Sequence, residues 1–144
     1  IVGQHVRQLM RPATRTAAPV LFLLDELPRL GRMEPIREAL EVGRSYGIKL
    51  WMIAQYPEQL LQAYPNVGDG MMESCDVRMY MSPSSSTAEK IEKAFGVSRN
   101  IFTKREGPQL SSQDILGPAH RDSIFALGAN EQPMVLRKRF FHEM

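Results

Sequence analysis

An uninterrupted apolar run that ends in two carboxylates is the segment that most constrains the fold. Val20 to Leu24 contains no polar residue, and Asp25 and Glu26 follow it directly. A run of this length without alternation is typical of a strand that is buried on both faces, as in a parallel sheet. We therefore predict a central strand whose acidic end leaves the core at the carboxyl edge of the sheet.

A second apolar segment, residues 48–54, predicts another strand, and Gln55 follows it. In open parallel sheets, ligands bind outside the carboxyl ends of the strands. We therefore expect Gln55 to lie beside Asp25 and Glu26.

Strand-like and helix-like segments alternate along the chain, which predicts an α/β fold with a mainly parallel sheet flanked by helices. Residues 98–108 are expected to form an irregular basic loop, and we find no internal repeat and no second domain in residues 1–144. The predicted strands are residues 20–24, 48–54, 76–81, 123–128 and 134–139, and the predicted helices are residues 1–10, 34–46, 57–64, 84–95 and 111–116.

Composition is that of a soluble globular protein. No apolar stretch approaches the roughly 20 residues that cross a bilayer, and the first residues lack a signal-peptide pattern. The single cysteine, Cys75, cannot form an intramolecular disulfide and is expected to be a buried thiol, which favours the cytoplasm.

The two carboxylates after the first strand suit nucleoside triphosphate hydrolysis. Asp25 would hold the hydration shell of Mg²⁺, and Glu26 would orient and polarise the attacking water. This pattern is typical of a Walker B strand. On the motif alone a structural alternative stays open, because any buried strand can emerge into an acidic turn.

Two further side chains are candidates for the same chemistry. The amide of Gln55 could bond both the water and the γ-phosphate, or it could merely cap the next helix. Arg44 could present a guanidinium to the γ-phosphate of a neighbouring subunit, as could Arg37 one helix face away. Alternatively, these arginines face water and favour the helix dipole.

The phosphate-cradling motif G-x-x-x-x-G-K-[ST] does not occur in the chain. We expect these residues alone to be inactive as an ATPase, either as the latter part of a longer motor or as a degenerate relative of one. His5, His120 and His142 lack the spacing of a metal site.

Basic residues cluster without giving a strong net charge, which is only +2. A solvated chain terminus explains the two end clusters as well as nucleic-acid binding does. The clusters are Arg7, Arg11 and Arg15, then Arg137, Lys138 and Arg139, with residues 99–105 as a candidate DNA-facing loop.

Several segments together resemble the conjugative coupling proteins of type IV secretion systems, the TraG/TraD-type relatives of FtsK. The likeness begins near Pro19, covers the chain from there onward and preserves the order and spacing of its motifs. These are LFLLDELPRLG at 21–31, RSYGIKLW at 44–51, IAQYPEQL at 53–60, CDVRMY at 75–80, STAEKIEKAFG at 86–96 and the segment 133–141.

The resemblance implies a RecA-like fold of the P-loop NTPase class, here a C-terminal portion without the Walker A segment. In that family the phosphate loop lies upstream and an all-helical domain is inserted before the Walker B strand. Residues 1–11 would be the helix that returns from this insertion, and residues 1–144 would form the C-terminal part of one motor domain.

The resemblance also implies a function. Such proteins are hexameric ATPases at the cytoplasmic face of the bacterial inner membrane that recruit relaxase-bound DNA or effector proteins and drive them to the secretion channel. Position by position, it implies Asp25 for Mg²⁺, Glu26 for catalysis of ATP hydrolysis, Gln55 as γ-phosphate sensor and Arg44 as an arginine acting in trans. Contact with DNA would be independent of its sequence.

Two other interpretations stay open. The chain could be a truncated, non-catalytic interaction module that binds coupling-protein subunits, a relaxase or DNA. A helicase-like enzyme of the Asp-Glu-x-x class is the minor alternative, because Leu27 and Pro28 depart from the helicase pattern.

Overall fold

A computed structural model describes residues 1–11, 18–99, 106–129 and 131–140. The chain divides into two compact units, Ile1–Cys75 and Asp76–Met144, and each is described here by itself. The expectation that residues 1–144 form the C-terminal part of a single motor domain stays a prediction.

The described residues of the first unit form two β-strands and four α-helices. Its elements are α1 (Val2–Leu9), β1 (Val20–Leu24), a 3₁₀ turn (Leu27–Leu30), α2 (Glu34–Val42), a second 3₁₀ turn (Gly43–Tyr46), β2 (Ile48–Met52), α3 (Pro57–Ala63) and α4 (Gly68–Glu73). Helix α4 occupies a segment for which the sequence predicts no helix.

Strands β1 and β2 pair in parallel, as the sequence predicts. Val20 lies opposite Ile48, and Leu24 lies opposite Met52. The pairing continues past the strands, because the N–H of Ile53 donates to the carbonyl of Leu24 at 3.0 Å. The carboxyl ends of the two strands are therefore adjacent.

Only one face of β1 is buried, so the prediction of burial on both faces is wrong for the part of the chain that the structure describes. Leu24 lies in the core, whereas Leu21 and Leu23 are 56% and 61% exposed, beside an exposed Trp51 on β2. Side chains alternate between the faces of a strand, and the core of this unit covers one face of the two-stranded sheet. That core contains Val6, Leu24, Leu27, Ile36, Ala39, Ile48, Leu60, Tyr64 and Met71.

The helix predicted over residues 34–46 is shorter than expected. It ends at Val42 and passes into the 3₁₀ turn, and Gly47 then closes the segment at a φ of 72°. Gly43 is the residue that faces the core, because a Cβ at Gly43 would lie only 3.2 Å from the Cβ of Ile48. Val42 is exposed.

The second unit is built on antiparallel pairing, so the prediction of a mainly parallel sheet is wrong for the described strands, of which only β1 and β2 pair in parallel. Strand β6 lies between β3 and β7 in one sheet, and β4 pairs with β5 in another. A short connection from β6 to β7 allows only antiparallel pairing. The elements are β3 (Val77–Met81), α5 (Ser85–Phe95), β4 (Val97–Arg99), β5 (Glu106–Pro108), α6 (Ser112–Leu116), a 3₁₀ turn (Pro118–His120), β6 (Ser123–Gly128) and β7 (Met134–Arg137).

The basic segment predicted as an irregular loop is partly regular, because its two ends form β4 and β5. Residues 100–105, which include most of the candidate DNA-facing loop, lie outside the described residues. Ser84 caps α5 as the sequence predicts, since its hydroxyl accepts a hydrogen bond from the N–H of Thr87 at 3.3 Å. The core of this unit contains Ala88, Ile91, Ile115 and Phe125.

Candidate functional site

The turn after β1 gives Glu26 its position. Glu26 has a left-handed backbone, with φ 48° and ψ 46°, which costs a non-glycine residue on the order of 1–3 kcal/mol. The next residue, Leu27, is fully buried, and its N–H donates to the carbonyl of Ile53 at 3.0 Å. Burial of Leu27 thus stabilises a turn that leaves the carboxylate of Glu26 at the edge of the sheet.

The side chain of Gln55 reaches this carboxylate from the segment that follows β2. Its Nε2 donates a hydrogen bond to Oε1 of Glu26, across 29 positions of sequence. The juxtaposition that the sequence predicts for these two residues is therefore present.

Gln59, and not Gln55, supplies a side-chain oxygen to the amino end of α3. Its Oε1 accepts from the N–H of Gln55 at 3.2 Å and from the N–H of Tyr56 at 3.4 Å. The alternative in which Gln55 merely caps this helix is therefore wrong. Sequence reasoning missed Gln59, although a Gln at the third helical position is a recognised capping signal.

Arg29 makes the second contact to Glu26 and was also missed. Its guanidinium lies 3.0 Å from Oε2 of Glu26, with the arginine side chain 80% exposed and the glutamate 32% exposed. An exposed ion pair of this kind contributes only about 0–1 kcal/mol to stability. The ion pair instead helps to orient the carboxylate, because Gln55 contacts Oε1 and Arg29 contacts Oε2 of Glu26.

The side chain of Asp25 is exposed and makes no hydrogen bond or ion pair with the other residues that the structure describes. Mg²⁺ prefers oxygen ligands and usually keeps several waters, so one free carboxylate beside bound phosphates suits it. Nowhere in the described ranges do three or more His, Cys, Asp or Glu residues form a group that could hold a metal ion. Asp25 fits a largely hydrated cation rather than a closed protein site.

Arg44 lies away from the other candidates. It belongs to the 3₁₀ turn before β2 and is exposed, whereas Gln55 follows the other end of the same strand. Five residues of strand separate the two ends by about 16 Å. The structure thus brings Glu26 and Gln55 together at the carboxyl ends of the strands and places Arg44 near the amino end of β2.

Arg37 is already engaged on the surface of α2. Its guanidinium contacts the carboxylates of both Glu34 and Glu41. The hydrogen bond from Arg37 lowers the pKa of Glu34, and the same bond raises the pKa of Arg37. Arg37 is therefore paired with carboxylates of its own helix on the surface of α2.

The remaining expectations concern histidine, cysteine and the membrane. His120 contacts Ser123 in the second unit, His5 bonds its own helix, and His142 lies outside the described residues. Cys75 is half-buried rather than buried, and its thiol donates to the carbonyl of Met71 at 3.3 Å. None of the described helices is long and apolar enough to cross a membrane.

Comparison with known proteins assigns the chain to a family. The model of the family described as the TraM recognition site of TraD and TraG matches residues 19–122. The chain belongs to this family. The match begins where the sequence resemblance to coupling proteins begins, and it includes both predicted strand ends.

Curated relatives agree with the family. The conjugal transfer protein TraG of Escherichia coli is 33% identical over 89 residues, which cover 60% of this chain and 14% of that protein. A probable TraG of Sinorhizobium fredii is 36% identical and covers 92% of this chain and 22% of its own length. The type IV secretion system-coupling protein VirD4 of Bartonella quintana is 31% identical, and the match covers 67% of this chain and 15% of that protein. The chain thus spans about a seventh to a fifth of these relatives.

Solved structures of the plasmid coupling protein TrwB share the fold. The unbound form has a TM-score of 0.70 at 15% identity and covers 99% of this chain and 36% of TrwB. The complex with the GTP analogue GDPNP has a TM-score of 0.75 at 16% identity, and the match covers 96% of this chain and 36% of TrwB. This likeness confirms the predicted α/β fold class, RecA-like and partial.

Proposed function

We propose that this chain provides the water-activating part of an ATP site in a type IV secretion coupling protein. Such a motor uses ATP hydrolysis to recruit DNA or protein substrates and to move them to the secretion channel. The observation that carries the proposal is the hydrogen bond from Gln55 to the Glu26 carboxylate at the carboxyl ends of β1 and β2. That edge is where parallel sheets bind their ligands.

The role of Glu26 is to orient and polarise the attacking water. A carboxylate has about four lone-pair positions, so Glu26 can accept from water while it also accepts from Gln55 and Arg29. Those two donors fix the direction of the carboxylate. A fixed acceptor costs little reorganisation when charge develops during phosphoryl transfer.

Gln55 is proposed to sense the γ-phosphate. Its amide nitrogen donates to Glu26, and the same side chain can exchange this bond for one to the phosphate or the water. Loss of the γ-phosphate would therefore change how Glu26 is held. This exchange would couple the nucleotide state to β2 and to the start of α3.

ATP supplies the transferred phosphoryl group, and Mg²⁺ neutralises its charge when bound. Asp25 is the proposed ligand of the cation, through water, because its carboxylate is exposed and unpaired among the described residues. TrwB has been solved with analogues of GTP and ATP, which supports nucleotide as the ligand. The phosphate loop would come from a preceding part of a longer protein.

Arg44 is proposed to act in trans, and its position supports this role. It lies at the edge of the sheet opposite Glu26 and Gln55, and it is exposed. From that place its guanidinium is too far from Glu26 and Gln55, by the length of β2 or about 16 Å, to share their phosphate. The role requires a ring of subunits, for which we propose a hexamer at the cytoplasmic face of the inner membrane, acting on DNA, relaxase or effector proteins.

Substitution of Glu26 in a longer protein that includes the phosphate loop tests the proposal. Glu26→Gln keeps the shape of the side chain but removes the charge that polarises water. We expect ATP turnover to fall by about 10²- to 10⁴-fold, while nucleotide still binds. Glu89→Gln, on the exposed surface of α5, is the matched control, and unchanged turnover in Glu26→Gln would remove Glu26 from the mechanism.

A second candidate function is favoured by the description of the family as a recognition site for TraM. In this alternative the chain is a non-catalytic module that binds a partner protein. Titration of the isolated chain with TraM from the same conjugative system tests it, with saturable binding as the expected result. A coding frame without a phosphate loop upstream would favour this alternative over the motor.

A further inference from the structure

Arg29 and Glu26 lie on the same side of one tight turn. Arg29 belongs to the 3₁₀ turn Leu27–Leu30, and Glu26 directly precedes this turn. In 3₁₀ geometry, side chains three positions apart eclipse each other. The N–H of Arg29 donates to the carbonyl of Glu26 at 2.8 Å, so the backbone itself brings the two side chains together.

Contacts on both sides of Arg29 fix this turn. Leu27 is fully buried in the core of the first unit, and the ring of Pro28 fixes its own φ. The N–H of Gly31 donates to the carbonyl of Pro28 at 3.1 Å, which closes the turn. Arg29 therefore starts from a well-defined backbone position near the carboxyl end of β1.

Most of the guanidinium of Arg29 is open to solvent. The side chain is 80% exposed, and one terminal nitrogen, Nη1, lies 3.0 Å from Oε2 of Glu26. This carboxylate is the only partner of the Arg29 side chain among the residues that the structure describes. A guanidinium has five N–H donors in a planar fork, so Arg29 can bind a second anion without releasing Glu26.

The proposed reaction brings two negative groups close together. A γ-phosphate beside Glu26 and Gln55 would lie near the Glu26 carboxylate, and like charges at such short distances repel each other. The side chain of Gln55 is uncharged, and Arg44 lies about 16 Å away at the other end of β2. Arg29 is the cation that contacts Glu26, so it can offset this repulsion.

We propose that Arg29 binds the γ-phosphate of ATP in the site of its own subunit while it stays paired with Glu26, and that this contact makes the site prefer ATP to ADP. This inference rests on the proposed function and deepens it, since it names a residue that selects the nucleotide. Arginine binds phosphate through charge-assisted, often bidentate hydrogen bonds. ADP has no γ-phosphate, so it cannot make this contact.

The test measures equilibrium binding of two fluorescently labelled nucleotides to a longer protein that includes the phosphate loop. One nucleotide is ADPNP, a non-hydrolysable analogue of ATP, and the other is ADP. Arg29→Gln removes the charge of an exposed side chain. We expect this variant to bind ADPNP about tenfold more weakly, as for the loss of a charge-assisted hydrogen bond, and to bind ADP as the unaltered protein does.

Arg32→Gln is the matched control, because Arg32 is an exposed arginine beyond the turn that pairs with Glu34 and not with Glu26. It should leave the affinities for both nucleotides unchanged. The proposal would be overturned by an unchanged ratio of the two affinities in Arg29→Gln, by an equal loss for both nucleotides, or by the same loss of ADPNP binding in Arg32→Gln. Failure of the motor proposal is seen separately, as unchanged ATP turnover in Glu26→Gln, because these affinities do not depend on turnover.

Discussion

Gln55, in the segment that follows β2, donates its side-chain amide to the carboxylate of Glu26, which follows β1. The contact exists because β1 and β2 pair in register up to Leu24 and Met52. After both strands, the polypeptide leaves the sheet at the carboxyl ends, on the same side. Both side chains are partly open to solvent, so a ligand can approach them. The function proposed for the chain depends on this pair.

Removal of the Gln55 amide is expected to impair hydrolysis more than nucleotide binding. In a longer protein with the phosphate loop, Gln55→Ala should lower ATP turnover by about 10²-fold or more, the effect of losing one oriented donor. Steady-state turnover and equilibrium nucleotide binding are the two measurements. Gln62→Ala, exposed on α3, is the control, and wild-type turnover in Gln55→Ala would refute the sensor role.

A side chain at Gly43 is expected to destabilise the first unit. A Cβ there would lie 3.2 Å from Ile48 and 3.4 Å from Ala39, so Gly43→Val should cost about 1–3 kcal/mol through overpacking. Gly70 on α4 has nothing within 4 Å of such a Cβ, and Gly70→Ala should stabilise by about 0.4–1 kcal/mol. Urea unfolding of both variants measures the contrast, and equal effects would contradict it.

The hydroxyl of Tyr64 is expected to contribute to stability through one hydrogen bond. Tyr64 is fully buried, and its hydroxyl accepts from the N–H of Met33 at 3.1 Å. Tyr64→Phe would leave this N–H unpaired, at a cost of about 1–3 kcal/mol. Tyr46→Phe is the control, since Tyr46 packs on the same core; a loss in thermal stability as large as that of Tyr64→Phe would argue against the bond.

Acid is expected to weaken α2 through Glu34. Hydrogen bonds from Arg37 and Arg32 lower the pKa of Glu34 below its ordinary 4.5. A lowered folded-state pKa means that the ionised group stabilises the fold above about pH 4.5 and that this contribution is lost as the pH falls through the folded value. Arg37→Gln should reduce this acid dependence.

The measurement is the unfolding midpoint as a function of pH, together with an NMR titration of the Glu34 side chain. Lys49→Gln, an exposed cation on β2, serves as the comparison. If Glu34 titrates at the same pH in Arg37→Gln as in the wild-type chain, the Arg37 hydrogen bond is not the cause of the shift.

Local pattern predicted most of the elements. The apolar run before Asp25 and the capping serine Ser84 mark a strand and a helix, and the structure has both. Such signals are local, because backbone geometry, capping and alternation depend on neighbouring residues. The parallel pairing of β1 with β2 also followed from them.

The predictions from sequence were wrong where contacts between distant segments determine the structure. The apolar run from Val20 to Leu24 does not predict that Leu21 and Leu23 face away from the core, since burial depends on which other segments cover each face of the strand. Helix α2 stops at Val42, and the next residue, Gly43, lies closely against Ile48, which is a contact between segments. The antiparallel sheets of the second unit depend on strand partners that pattern alone does not specify.

The sequence by itself determined the acidic strand end, the alternation of elements and the family to which the chain belongs. Only the tertiary structure decided which side chains meet: Gln55 with Glu26, Gln59 with the start of α3, and Lys138 with Ser82. The physical reason is the distance along the sequence over which each interaction acts. Backbone preference is fixed within a few residues, whereas a contact between Ser82 and Lys138, 56 positions apart, exists only once the strands between them have paired.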